Sequence, residues 1–353
     1  MRVPPMVVDG VTFRRAVLAL GIGAVSGLAA MAVGLPLPWM LGPMLGVALA
    51  ALTGAPIHAP TRLRPVVIPA IGVMLGSSIT PEVVAMVPRW ALSVALLLPF
   101  LAAAGGVSWL IYRRIGGYDP VTAYFASMPG GLNDMVVMGA EAGGDERRIA
   151  LAHALRIFVV IVVVVLFFGI VLGVRPQGQA GPWVALAALA LSDWVILIGC
   201  GVLGVVAGRR LGLPAAPVLG PMILSGAAHL AGIVTVAPPT LIILGAQLVI
   251  GTVVGCRFLG AAWGEVGRDM ILGVVASLAM LAVAVVFALV VAGFTGIALT
   301  QATLAFAPGG LTEMTLLSLA MGKDVAYVSV IHMARLMLVI GVAGPLFGLL
   351  RRG

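Results

Sequence analysis

Two short patterns, each present twice, hold most of the side chains in this sequence that could do chemistry. SMPGGLNDM occupies 127–135 and FAPGGLTEM occupies 306–314, an offset of 179 residues. In the first, Gly130 and Gly131 precede Asn133 and Asp134; in the second, Gly309 and Gly310 precede Thr312 and Glu313. Proline removes a backbone donor and glycine frees the dihedrals, so a helix is expected to break here. A helix restarting just after the glycines would aim its first amides at the break, and such an N-terminus attracts an anion. The same offset relates His153 to His332 and Arg156 to Arg335. A spacing of three puts each His and Arg on one helix face. A guanidinium in that position can grip a carboxylate or phosphate with two parallel hydrogen bonds.

Each of these residues also has a plain structural reading. Asp134 and Glu313 could merely complement a helix dipole, or could coordinate a cation or carry a proton. An acid in lipid is costly, which favours the functional role. Arg156 could pair with Asp134 and Arg335 with Glu313, or both could hold an anionic substrate, with the pairs opening when it arrives. His153 and His332 could be satisfied buried side chains or proton-coupled groups, since imidazole titrates near physiological pH. The four histidines (His58, His153, His229, His332) and the cysteines Cys200 and Cys256 show no ligand spacing, so neither a metal site nor a cofactor is expected. There is no Gly-Lys-Thr phosphate loop for ATP.

Composition says where these residues must sit. The chain has 353 residues, of which 62% are apolar and 9% charged. A water-facing surface needs about a quarter charged. A soluble enzyme, a disordered regulator and a nucleic-acid-binding domain are therefore excluded, and the fold class is an all-α polytopic membrane protein. No apolar core precedes Arg14 and Arg15, so no cleavable signal peptide is read there. Residues 16–61 and 211–256 carry no Asp, Glu, Lys or Arg, and each stretch has room for two spans. Twelve apolar segments result, near 16–34, 39–54, 65–79, 90–112, 120–140, 149–174, 194–208, 217–232, 239–256, 270–293, 298–321 and 327–350. Residues from Pro182 to Ser192 read as a short interfacial helix.

The paired patterns divide the chain into a repeat over 1–175, a linker over 176–193 and a second repeat over 194–353. Further pairs support this: GVMLG at 72–76 with GTVVG at 251–255, and LPLPWMLGPM at 35–44 with LPAAPVLGPM at 213–222. Loop charges favour inversion. If all twelve segments cross, the basic residues divide almost evenly. If the Pro-Gly-Gly segments are re-entrant hairpins, fifteen basic residues fall on one side and three on the other. The positive-inside rule then gives five spans and one hairpin per repeat, with both termini cytoplasmic. Gly42-Pro43 and Gly220-Pro221 are expected to kink helices two and eight, or to leave unwound backbone beside the site. Ser77, Ser78 and Gln247 are candidate neutral ligands.

The paired Pro-Gly-Gly-Leu, His-x-x-Arg and Leu-Gly-Pro-Met blocks resemble the AbrB duplication family of bacterial inner-membrane proteins, over about 16–350. The resemblance implies the fold and the bacterial inner membrane; the family has been labelled both an ammonia monooxygenase and a regulator of gene expression. It is distinct from the soluble DNA-binding protein of the same name, and no direct nucleic-acid partner is expected. The chain is expected to be a secondary transporter, not an enzyme. Its partners would be a small anionic solute, H⁺ or Na⁺, and membrane lipids; self-association stays open. The alternatives are a membrane-embedded regulator or sensor acting through a partner and, further off, a monooxygenase subunit.

Overall fold

Inside lipid the backbone must satisfy its own hydrogen bonds, and nearly unbroken apolar runs do so as helices. The computed structural model describes residues 10–35, 37–168, 183–213, 215–260 and 263–350, and no strand occurs among them. The first half contains α1 (Gly10–Ala32), α2 (Pro38–Leu52), α3 (Arg64–Ser77), α4 (Pro81–Ala85), α5 (Ala91–Ala95) and α6 (Leu97–Leu110). It continues with α7 (Pro120–Ser127), α8 (Leu132–Glu141) and α9 (Glu146–Leu166). The second half contains α10 (Leu191–Arg210), α11 (Ala216–Leu230), α12 (Thr240–Gly255), α13 (Trp263–Thr295), α14 (Leu299–Phe306), α15 (Leu311–Ala320) and α16 (Val325–Leu350). Among the described residues, seven helical runs are long and apolar enough to cross a membrane. The chain is a multi-pass membrane protein. Three further apolar helices, α2, α3 and α11, have only 14 or 15 residues, or about 22 Å.

α2 and α11 run through Pro43 and Pro221 without unwinding. The irregular backbone lies ahead of them, at Leu37 (φ 49°) and Ala215 (φ 47°). Unwound carbonyls at Gly42-Pro43 and Gly220-Pro221 are therefore not present. The glycines serve close packing: a Cβ on Gly42 would strike the Ser26 carbonyl, and one on Gly220 the Gly204 carbonyl. Close backbone approach through small residues is how helices associate in lipid. The expected interfacial helix before α10 is also absent. One 3₁₀ turn, Leu186–Ala188, stands there, and Val184 and Thr240 exchange hydrogen bonds of 3.0 Å. Residues 176–182 of the expected linker, and Arg175, lie outside the described residues.

α7 and α8 form a hairpin, as cross-connections to α9 establish. The Asp145 amide donates to Thr122 Oγ1 (2.7 Å) at the start of both α7 and α9. One turn further, His153 Nε2 meets the Phe125 carbonyl (2.9 Å). Arg156 then reaches the Met128 carbonyl (2.7 Å) at the end of α7. α7 thus runs alongside α9 in the same direction, and α8 returns to where α7 began. α14 and α15 repeat the arrangement against α16, where His332 meets the Leu304 carbonyl (2.9 Å) and Arg335 the Ala307 carbonyl (2.7 Å).

The halves of the sequence are not the units of packing. α1, α2, α3, α10, α11 and α12 pack on one another as one body. α5, α6, both hairpins, α9, α13 and α16 pack as a second. The bodies meet chiefly where α3 lies on α15 and where the Cys256–Phe258 turn after α12 lies on α9.

Candidate functional site

The tip of each hairpin is a Pro-Gly-Gly turn held by one buried arginine. Arg156, 4% exposed, donates through one guanidinium nitrogen to Met128 O (2.7 Å) and through the other to Gly130 O (2.8 Å). Arg335, 2% exposed, does the same to Ala307 O (2.7 Å) and Gly309 O (2.8 Å). These carbonyls end one helix and lead into the break, so they lack intrahelical partners; the planar fork supplies two donors at once. Only Nε of each guanidinium is buried without a partner. Among the described residues neither arginine pairs with Asp134 or Glu313. The expected intra-repeat ion pairs do not form, because the fork is already committed to the tip backbone.

Behind Arg335 the proton placement follows from its donors. Arg335 donates to His332 Nδ1 (2.9 Å), so Nδ1 is the acceptor and Nε2 carries the hydrogen given to Leu304 O. His332 is therefore a neutral imidazole. His153 makes the matching bond to Phe125 O, with Nδ1 buried and unpartnered.

Beyond each tip a ten-residue helix restarts, α8 from Leu132 and α15 from Leu311, and neither has a side-chain cap. Their first amides are left as donors. Asp134 and Glu313 stand in these first turns and fold back on the tip. A Cβ on Gly131 would lie 2.5 Å from Asp134 Oδ2, and one on Gly310 would strike the Glu313 carboxylate. A larger residue at either position would push the carboxylate off the tip. The side chain of Asn133 lies outside the described residues.

One cavity of about 480 Å³ joins these parts. From the hairpin body it is lined by Gly130, Gly131, Asp134, Arg156, Gly309, Gly310, Thr312, Glu313 and Arg335. From the other body come Arg64 and Ile68 of α3, Pro217 and Val218 of α11, and Arg257 just after α12. All of the expected site residues with described side chains line it except the two histidines, which stand behind the tips. Two lining residues, Arg64 and Arg257, were not expected from sequence, where they count as loop cations. The available signal was their setting: Arg64 opens the apolar run RPVVIPAIGVMLG, and Arg257 directly follows the repeated GTVVG block. Ser77 and Ser78 do not line this cavity, and their hydroxyls donate back to Met74 O and Leu75 O (2.7 Å each).

A family model described as "Transition state regulatory protein AbrB" matches residues 39–351. The chain belongs to the AbrB family. Two relatives agree over most of their length. "Uncharacterized protein YhjN" of Bacillus subtilis is 25% identical, over 94% of this chain and 92% of its own. "Putative regulator AbrB" of Escherichia coli is 25% identical, over 89% of this chain and 90% of its own. No solved structure matches. The AbrB match spans both hairpins and both arginine clamps, so the cavity is built entirely from the matched region.

Proposed function

We propose that this AbrB-family chain is a secondary transporter of a small organic anion, coupled to H⁺ or Na⁺. The observation that carries the reading is the single cavity lined by both Pro-Gly-Gly tips and by a second helical body facing them. Two uncapped helix N-termini and four arginines, against two carboxylates, favour an anion. Broken helices meeting at a central site are the usual layout of secondary transporters. The hairpins enter from opposite faces, in line with the loop charges, which still divide thirteen to three once Arg64 and Arg257 are counted with the cavity. The protein resides in the bacterial inner membrane with both termini cytoplasmic. Asp134 and Glu313, beside the tips, serve the coupling ion. Arg156 and Arg335 hold the tips in shape while the glycine backbone and Thr312 face the solute. His332 orients Arg335, and His153 supports the first tip.

Uptake into proteoliposomes tests this, with a panel of organic anions and imposed H⁺ or Na⁺ gradients. Gradient-dependent accumulation of at least one anion is the expected result. No protein-dependent flux across the panel contradicts the reading. The name of the Escherichia coli relative favours a second one, a membrane-embedded regulator acting through a partner. Such a protein would change expression of a reporter without moving solute.

A further inference from the structure

The paired tips have opposite them two cations, Arg64 and Arg257, with the Glu313 carboxylate as the nearby acid that attracts Arg257. Arg64 and Arg257 belong to the non-hairpin body, and both line the central cavity. They also flank, with Thr312 and Glu313, a small recess of about 20 Å³ beside the second tip. One guanidinium nitrogen of Arg257, Nη1, is buried with no hydrogen-bond partner. Neither arginine forms an ion pair or hydrogen bond among the described residues, unlike Arg156 and Arg335, whose forks are spent on tip carbonyls. An unsatisfied buried donor on a charged group is expensive unless a ligand completes it.

Arg257 also breaks the repeat. At the offset of 179 its counterpart is Ser78, whose hydroxyl is bound to its own helix. A side chain needed only for the fold would be expected in both halves. This one occurs once and points into the shared cavity.

We infer that Arg257, with Arg64, is the specificity-determining anchor of the cavity and that the ligand is a small dicarboxylate. This rests on the transporter reading and names its substrate class. One carboxylate sits at the uncapped amides of the tips; the other is held by the Arg257 guanidinium. Four arginines against two carboxylates leave two positive charges, which a dianion neutralises. A volume of about 480 Å³ accepts a short carbon chain between the two carboxylates. The same ligand then bridges the two helical bodies.

Thermal stabilisation of the purified protein in detergent is the test, with succinate and butyrate as probes. They share a four-carbon chain and differ by one carboxylate. Wild type is expected to be stabilised by succinate and at least tenfold more weakly by butyrate. Arg257→Gln is expected to lose that preference, binding succinate tenfold or more weakly with butyrate unchanged. Arg257→Lys should recover part of it. Equal stabilisation of wild type by both probes, or by neither, overturns the inference, as does a preference unchanged in Arg257→Gln. Because Arg257→Gln could shift the fold, its melting temperature without ligand is read first. If it is lowered, Arg64→Gln gives the same readout: loss of the preference supports the anchor, and its retention overturns it. Succinate binding without flux in proteoliposomes would sink the transporter reading and leave the site standing.

Discussion

A guanidinium that donates to two carbonyls of one broken turn fixes the shape of that turn. Arg335→Ala would leave the carbonyls of Ala307 and Gly309 buried and unsatisfied, at about 1–3 kcal/mol each. A clear fall in melting temperature is expected, with Arg335→Lys recovering little because one ammonium cannot span both acceptors. Unchanged melting would show that the clamp is idle. A second residue-scale prediction concerns Asp324, which caps α16 just ahead of its span by accepting from the Tyr327 amide (3.1 Å). Burial pushes its carboxyl above the ordinary value, against the pull of the Tyr327 and Ala326 amides. The folded protein thus holds this proton more tightly than the unfolded chain, so its stabilising share is present at low pH and lost as pH rises through the raised value. Asp324→Asn keeps an acceptor for Tyr327 and removes the charge. It should melt above wild type at neutral pH and level with it below about pH 4; a lower melting temperature at neutral pH would contradict this. That each His shares a helix face with its Arg was legible from their spacing. The target of each fork was not, because backbone carbonyls leave no mark in a sequence of side chains.

Helix packing in this molecule rests on backbone contacts at a few glycines. A Cβ on Gly204 would lie 2.5 Å from the Pro221 nitrogen, while none would meet anything within 4 Å at Gly199 on the same helix. Gly204→Ala should therefore destabilise by about 1–3 kcal/mol, and Gly199→Ala should be neutral or slightly stabilising. Equal melting of the two variants would refute the close crossing. Contacts of this kind explain why the prolines at 43 and 221 did not unwind their helices. Pro43 is packed by the notch at Gly251, where a Cβ would come within 3.2 Å of its ring. Among the described residues a helix stands at each of the expected apolar segments, which hydropathy and the Pro and Gly breaks made legible. The straight passage of α2 and α11 was not legible, since it depends on neighbours on other helices.

The molecule divides into a hairpin body and a facing body, each built from both halves of the sequence. That division was not legible either: paired motifs can be read from a sequence, but partner choice between helices cannot. Motion of one body against the other would expose the cavity alternately. The rings of Phe158 on α9 and Phe258 after α12 meet across the junction, centroids 5.0 Å apart. Cysteines at both positions, in a chain with Cys200 and Cys256 replaced by serine, should stop flux when bridged by a short bis-methanethiosulfonate, which forms a disulfide with each thiol and is removed by a reductant. Flux should return on release, and ligand binding should persist throughout. Full flux through the bridged protein would rule out this motion. The most direct measurement is uptake of radiolabelled succinate into proteoliposomes under an imposed H⁺ or Na⁺ gradient. Wild type is predicted to accumulate succinate above protein-free vesicles only with the gradient, and Arg257→Gln to lose that accumulation. Wild-type vesicles that take up no more succinate than empty ones under either gradient would contradict it.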